Sequence, residues 1–184
     1  MPQVKASRIG LAALEYGLAF VGVKEQPANS NHGPTVWRRD AKGRSRRGGI
    51  DYWCFRANGI RGGYPWCAAF ATGCFREAGR VIGDARRASV GFFEAWASQH
   101  GYLVKRPYRG DLVCYRFDSD DWPDHIGIVE RVLALPGGGK PFLIRVLEGN
   151  TSYGDNANGG KVMLRTRLAY RCRFVRIPDA PKGV

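Results

Sequence analysis

Between Pro65 and Gly79, small and apolar residues recur at Cys67, Phe70, Ala71, Cys74, Phe75 and Ala78. These positions fall on one face of a helical period and predict a helix with one buried stripe. Pro65 suits the entry to the first turn, and Gly79 suits a left-handed C-terminal cap. A second stripe, Ile9, Ala12, Ala13, Tyr16 and Phe20, predicts an N-terminal amphipathic helix capped by Ser7. A short helix is expected over Val90 to Gln99, carrying Phe92, Phe93 and Trp96. From Leu103 onward the pattern changes to short, often alternating runs. They are Asp111 to Phe117, Ile126 to Leu135, Phe142 to Leu147, Lys161 to Arg167 and Tyr170 to Ile177. Leu135 to Pro141 reads as a hairpin connection between two of these strands. Helices first and an antiparallel sheet second describe an α+β domain. The basic, glycine-broken stretch Arg38 to Gly49 reads as a solvated loop.

A chain of 184 residues is long enough for one buried core and short for two, so a single domain over 1–184 is expected. A formal charge of +13 marks a surface that attracts polyanions: nucleic acid, anionic lipid or the anionic polymers of a bacterial wall. The arginines are scattered over strands and loops without a nucleic-acid motif, which argues against a specific nucleic-acid partner. Cys54, Cys67, Cys74, Cys114 and Cys172 form neither a C-x-x-C pair nor a zinc spacing, and their odd number leaves a thiol free. That favours synthesis in a reducing cytoplasm. No stretch approaches the length of a membrane span. Lys5 and Arg8 before the apolar run Ile9 to Val23 look like the start of a signal peptide. Glu15 interrupts that run, however, and no small-x-small cleavage site closes it.

The candidate chemistry begins at Cys67. It stands in the first turn of its helix, where free N–H groups and the positive dipole end favour a thiolate nucleophile. His125 opens an otherwise apolar strand and is the natural general base near neutral pH. Glu148 and Asn150 are two apart and share a strand side with Ile144 and Val146, so that side is expected to be buried against a helix. A carboxylate and an amide there need partners, and an imidazole from the neighbouring strand would serve. Singly, each residue has a plain structural reading, as a small core cysteine, a core histidine or a solvated strand end. Jointly they are the parts of a Cys–His–acid hydrolase. His32, in a turn region, and His100, at a helix end, fit less well.

Five stretches then occur in a telling order: Val21-Gly22-Val23-Lys24-Glu25, Pro65-Trp66-Cys67-Ala68-Ala69-Phe70, Arg109-Gly110-Asp111-Leu112-Val113, Asp124-His125-Ile126-Gly127-Ile128-Val129-Glu130 and Leu147-Glu148-Gly149-Asn150-Thr151-Ser152. Together they resemble the CHAP domains, papain-like, NlpC/P60-related peptidoglycan hydrolases of phage endolysins and bacterial autolysins. The likeness spans Gly10 to Ile177. Asn158-Gly159-Gly160 leading into a final basic strand pair makes it most like endolysins of phages infecting actinobacteria. It implies a papain-like α+β fold, with N-terminal helices packed on a five- to six-stranded antiparallel sheet. It implies Cys67 as nucleophile, His125 as base, Glu148 as orienting acid and Asn150 as an auxiliary polar group.

The same resemblance implies hydrolysis of an amide bond in bacterial peptidoglycan, as an N-acetylmuramoyl-L-alanine amidase or an endopeptidase; the interrupted N-terminal run adds the expectation of synthesis without a signal peptide. Tyr64, Trp66 and Trp122 are candidates for lining the cleft. Some members bind calcium through aspartates flanking the cysteine. Here Ala68, Ala69 and Phe70 follow Cys67 and only Asp51 precedes it, so neither metal nor cofactor is expected. The run Asp118 to Asp121 reads as a solvated turn. Peptidoglycan and anionic wall polymers are the expected partners, without a membrane span, and a monomer is expected. Two rival readings stand beside this one: a basic nucleic-acid-binding protein with a structural cysteine, and a general cysteine protease.

Overall fold

Ser7 starts the first helix, α1 (Arg8–Leu18), by accepting a hydrogen bond from the Gly10 N–H at 3.0 Å. Ala13, Leu14, Tyr16 and Phe20 are buried from it inward. The structure is a computed structural model that describes residues 6–83, 88–134 and 143–180, and the expected hairpin connection Leu135–Pro141 lies outside them. After α1 the chain runs beside the sheet and then forms two elements not anticipated above.

The first corrects the reading of a solvated loop. Residues Val36–Arg39 (β1) and Ser45–Gly48 (β2) pair as an antiparallel hairpin. Its turn is closed by Asp40, whose carboxylate accepts from the backbone N–H groups of Lys42 and Arg44 and from the side chains of Arg44 and Arg46. Both faces of the hairpin are largely exposed, so no alternation betrays it. The second is helix α2 (Ile50–Asn58), which buries Ile50, Trp53, Cys54 and Ala57 and ends at left-handed Gly59.

Helices α3 (Cys67–Glu77) and α4 (Val90–Gln99) follow at the expected places. Gly79 takes φ 92°, and the Arg80 N–H returns to the Phe75 carbonyl at 2.8 Å to close α3. The remaining strands are β3 (Leu103–Val104), β4 (Leu112–Tyr115), β5 (His125–Ala134), β6 (Leu143–Thr151), β7 (Lys161–Leu168) and β8 (Cys172–Val175). They form a six-stranded sheet in the order β3-β8-β4-β5-β6-β7, antiparallel at every pair. This is the α+β, papain-like arrangement of N-terminal helices on an antiparallel sheet. Residues 22–25 cover the outer edge of β7, with Gly22 and Glu25 donating to Val162 and Gly160 and Val162 donating back to Val23.

One face of the sheet, through Leu112, Cys114, Ile126, Ile128 and Leu147, shares a core with α1, α2 and α3. Gly17 lets α1 and α3 close on it: a Cβ there would stand 2.9 Å from the Cys74 sulfur and 2.7 Å from Leu147 Cδ2. The other face, through Val113, Tyr115, Val129, Ile144, Val146 and Phe174, forms a second core that has no helical member among the described residues. The side of β6 that carries Ile144, Val146 and Glu148 therefore turns away from the helices, opposite to the expectation.

Candidate active site

The loop before α3 is shaped to deliver Cys67. Gly59, Gly62 and Gly63 take φ 81°, 58° and 78°. Gly62 lies against His32 and Asp51, whose Nδ1 and Oδ1 are 3.0 Å apart. A Cβ at Gly62 would come 2.3 Å from that His32 nitrogen, so the loop can pass only as glycine. His32 thus braces the loop rather than joining the candidate chemistry. Trp66 comes next, fully buried, stacked on Trp53 with its indole N–H donated to Glu25 at 2.9 Å. Cys67 is the first residue of α3, where no side chain caps the helix, and the residue is only 4% exposed.

His125 is the first residue of β5 and is fully buried. Its Nε2 lies 3.2 Å from Glu148 Oε2 on β6. Gly127 stands opposite Glu148 in the strand register, and a Cβ there would come 2.9 Å from Glu148 Cγ, so the glycine makes room for the carboxylate. Arg167 of β7 grips the same carboxylate with two bonds, Nε to Oε1 at 2.9 Å and Nη2 to Oε2 at 2.6 Å. The rings of Phe117 and Tyr115 flank the imidazole, with centroids 5.9 and 6.4 Å away. The Arg167 guanidinium lies 5.1 Å from the Phe117 ring centre.

The electrostatics of this group oppose burial. Burial alone would raise the Glu148 carboxyl, but Arg167 and then His125 hold it down to about 2. Burial alone would lower the His125 imidazole, but the Cys67 thiol and the Glu148 carboxylate outweigh it and raise it to about 9. The buried Nδ1 of His125 makes no aligned hydrogen bond. With Nε2 on Glu148, Nδ1 is the nitrogen left to exchange a proton with the thiol beside it. Such a loose contact is ordinary in a free enzyme and tightens with substrate bound. The arrangement can hold an imidazolium between a carboxylate and a nucleophilic sulfur.

The other expected site residues separate. Asn150 does not reach His125: its amide donates to Asn158 at 2.9 Å and accepts from the Gly160 N–H at 3.1 Å. The reason is backbone geometry. Asn150 adopts φ 57°, and the β6–β7 register slips between Glu148 and Thr151, which breaks the two-residue alternation. Trp66, being fully buried, is a core residue and lines no cleft. Tyr64 is half-buried, with its hydroxyl bonded to the Cys54 carbonyl and to Asn58 of α2. Trp122 alone of the three presents an exposed ring, edge-on to Phe92.

Two of the family-like stretches serve the scaffold. Asp111 receives both Arg176 nitrogens at 2.9 and 2.6 Å, and Gly110 touches the backbone of Gly10. Glu25 holds Trp66. Residues that could hold a metal are Asp118, Asp120 and Asp124, whose carboxylate oxygens lie within 4.8 Å of one another. The carbonyls of Asp118, Ser119 and Asp120, which could have added ligands, accept instead from Arg171. Arg167 was missed by sequence reasoning. Its one signal is the pair Arg165 and Arg167, two apart in an alternating strand.

Residues 59–150, which contain Cys67, His125 and Glu148, match the family model described as CHAP domain. The chain belongs to the CHAP domain family. Membership implies, in general terms, a peptidoglycan hydrolase of amidase or peptidase type that acts on the cell wall. Searches of curated proteins and of solved structures returned no match. Among the described residues no helix of this CHAP protein is long and apolar enough to cross a membrane.

Proposed function

We propose that Cys67, His125 and Glu148 are the thiol machinery of an endolysin-type peptidoglycan hydrolase, with residues 1–184 acting as one catalytic unit. The observation that carries this is a fully buried imidazole set between a carboxylate at 3.2 Å and the thiol at the first residue of α3. In the reaction, the Cys67 sulfur attacks the amide carbonyl. The unpaired N–H groups at the start of α3 receive the oxyanion. The imidazolium gives its proton to the departing amine, leaving an acyl-thioester. The neutral imidazole then takes a proton from water, the hydroxide displaces the sulfur, and the carboxylic product leaves. Glu148 fixes the ring throughout.

The basic surface supports a second part of the reading, attraction to anionic wall polymers. A cavity of about 620 Å³ beside α2 is lined by Arg47, Arg56 and Arg61 together with Tyr52 and Phe55. Arg47 and Arg61 lie 5.0 and 5.9 Å from the centres of the Tyr52 and Phe55 rings. The exposed ring of Trp122 supports its role in meeting a glycan or peptide.

The test is digestion of purified peptidoglycan with wild-type protein and Cys67→Ser, with the new termini identified by mass spectrometry. Free stem-alanine amines beside intact muramic acid identify an amidase, and new peptide termini identify an endopeptidase. Hydrolysis by Cys67→Ser at near the wild-type rate would remove the thiol from the mechanism.

A further inference from the structure

Glu148 is a buried carboxylate, and burial of a lone carboxylate strongly favours its neutral form. A neutral Glu148 would still touch His125 but would no longer favour the imidazolium. The structure supplies a remedy from outside the motif. Arg167 is a charged side chain only 10% exposed, and its two bonds span both carboxylate oxygens. The guanidinium is itself held, since Nη1 donates to Asn156 at 2.6 Å and Nη2 to the Thr151 hydroxyl at 3.3 Å. Its central carbon lies over the Phe117 ring, 5.1 Å from the ring centre, and the same ring stands 5.9 Å from the imidazole. Arg167 therefore touches the ends of the same small assembly that positions His125.

We propose that Arg167 is a positioning residue, fixing the Glu148 carboxylate, and through it the His125 imidazole, against the Cys67 thiol. The inference rests on the assignment of Cys67, His125 and Glu148 as the reacting group. The groups that face Glu148 are His125 from β5, Arg167 and Arg165 from β7 and Tyr115 from β4. Of these, Arg167 alone among the arginines bonds the carboxylate in the described residues. Arg165 is turned to Thr151, Ser152 and Asn156. Tyr115 stays a neutral phenol, because burial pushes its pKa well above the ordinary value.

The sign of the effect follows from linkage. With Arg167 in place, Glu148 is held ionised well below the usual carboxylate range. Without it, Glu148 takes a proton at higher pH, and the imidazolium loses its support as pH falls. The acid limb of activity should then move upward. The alkaline limb should not move down, because removing a positive charge near His125 does not make the imidazolium less stable.

The experiment compares wild type with Arg167→Met and Arg167→Lys. Two readouts are taken across pH 4 to 10: the rate of iodoacetamide alkylation of Cys67, which needs no substrate, and the rate of peptidoglycan hydrolysis. Arg167→Met should move the acid limb of both profiles up by about one pH unit or more and lower kcat about tenfold or more, with KM nearly unchanged. Arg167→Lys, which keeps the charge and loses the fork, should fall between the two. In a Glu148→Gln background the same Arg167→Met change should cost no more than about threefold, because the carboxylate it serves is gone.

An unmoved acid limb, or an equal loss in both backgrounds, would overturn the proposal and leave Arg167 as a packing residue. If Arg167→Met does not fold, the Arg167→Lys profile decides alone. Hydrolysis surviving in Cys67→Ser would instead overturn the site assignment itself, so the two failures are told apart.

Discussion

Replacing His125 with asparagine should remove one specific pH dependence from the stability of the fold. In the folded protein, burial works against the charged imidazole, yet the thiol and Glu148 raise its pKa from 6.5 to about 9. A histidine raised in this way contributes its full stability below about pH 6.5 and loses it as pH rises through about 9. The difference corresponds to about 3 kcal/mol, at about 1.4 kcal/mol for each pH unit between the two values. This is an upper figure, since an asparagine amide can still donate to Glu148. Alkaline pH also weakens the fold through Cys54 and Cys172, whose thiols burial pushes up to about 11 and about 12. Those contributions are common to both proteins, so the quantity to follow is the difference between wild type and variant. With a urea m-value of about 2 kcal/mol per M, the wild-type midpoint should lie up to about 1.5 M above that of His125→Asn at pH 6. The gap should narrow steadily above pH 7 and vanish by about pH 10. A gap that stays constant over this range would refute an imidazolium held between thiol and carboxylate.

Iodoacetamide at neutral pH should label Cys67 first, because burial raises the pKa of Cys54, Cys74, Cys114 and Cys172. Peptide mapping that finds Cys172 labelled ahead of it would count against the placement at a helix start. Trp66→Phe should cost about 1–3 kcal/mol in urea melts, by stranding the buried Glu25 carboxylate, with Trp122→Ala changing stability by no more than about 0.5 kcal/mol and raising KM. Chelation by EDTA should leave hydrolysis intact; a loss restored by calcium would place an ion at Asp118, Asp120 and Asp124. Raising salt from about 0.05 to about 0.5 M should slow lysis of intact walls while sparing a small neutral fragment. Equal loss on both would put the charge effect inside the catalytic site.

The helices α1, α3 and α4 and most of the strands were legible in the amino-acid order, because each buries one periodic stripe and the period is a local property. Helix α2 carries such a stripe too, at Ile50, Trp53, Cys54 and Ala57, but it is short and lies between a charged hairpin and a glycine-rich loop. The position of Cys67 followed from its own helix, and His125 and Glu148 from their strand contexts and the resemblance to CHAP domains. The hairpin β1–β2 was illegible because neither of its faces is buried and its order comes from Asp40 gathering polar donors of its own turn, which leave no hydrophobic period.

Other features depend on register and burial, which no local pattern contains. Periodicity shows that Ile144, Val146 and Glu148 share a side, but only the assembled sheet decides that this side packs against residues of other strands and not on a helix. Alternation carried Asn150 to the same side, and a left-handed residue with a slipped register took it away. Trp66 and Trp122 have the same side chain, and the packing of α2 and α3 around one of them decides which is available to a ligand. Arg167 stands opposite Ile144 in the ladder, four residues from Glu148 and so about 13 Å along a flat strand. Two long side chains reaching toward each other along the same sheet face close that distance, and the pairing of β6 with β7 that sets it is absent from either strand's own sequence.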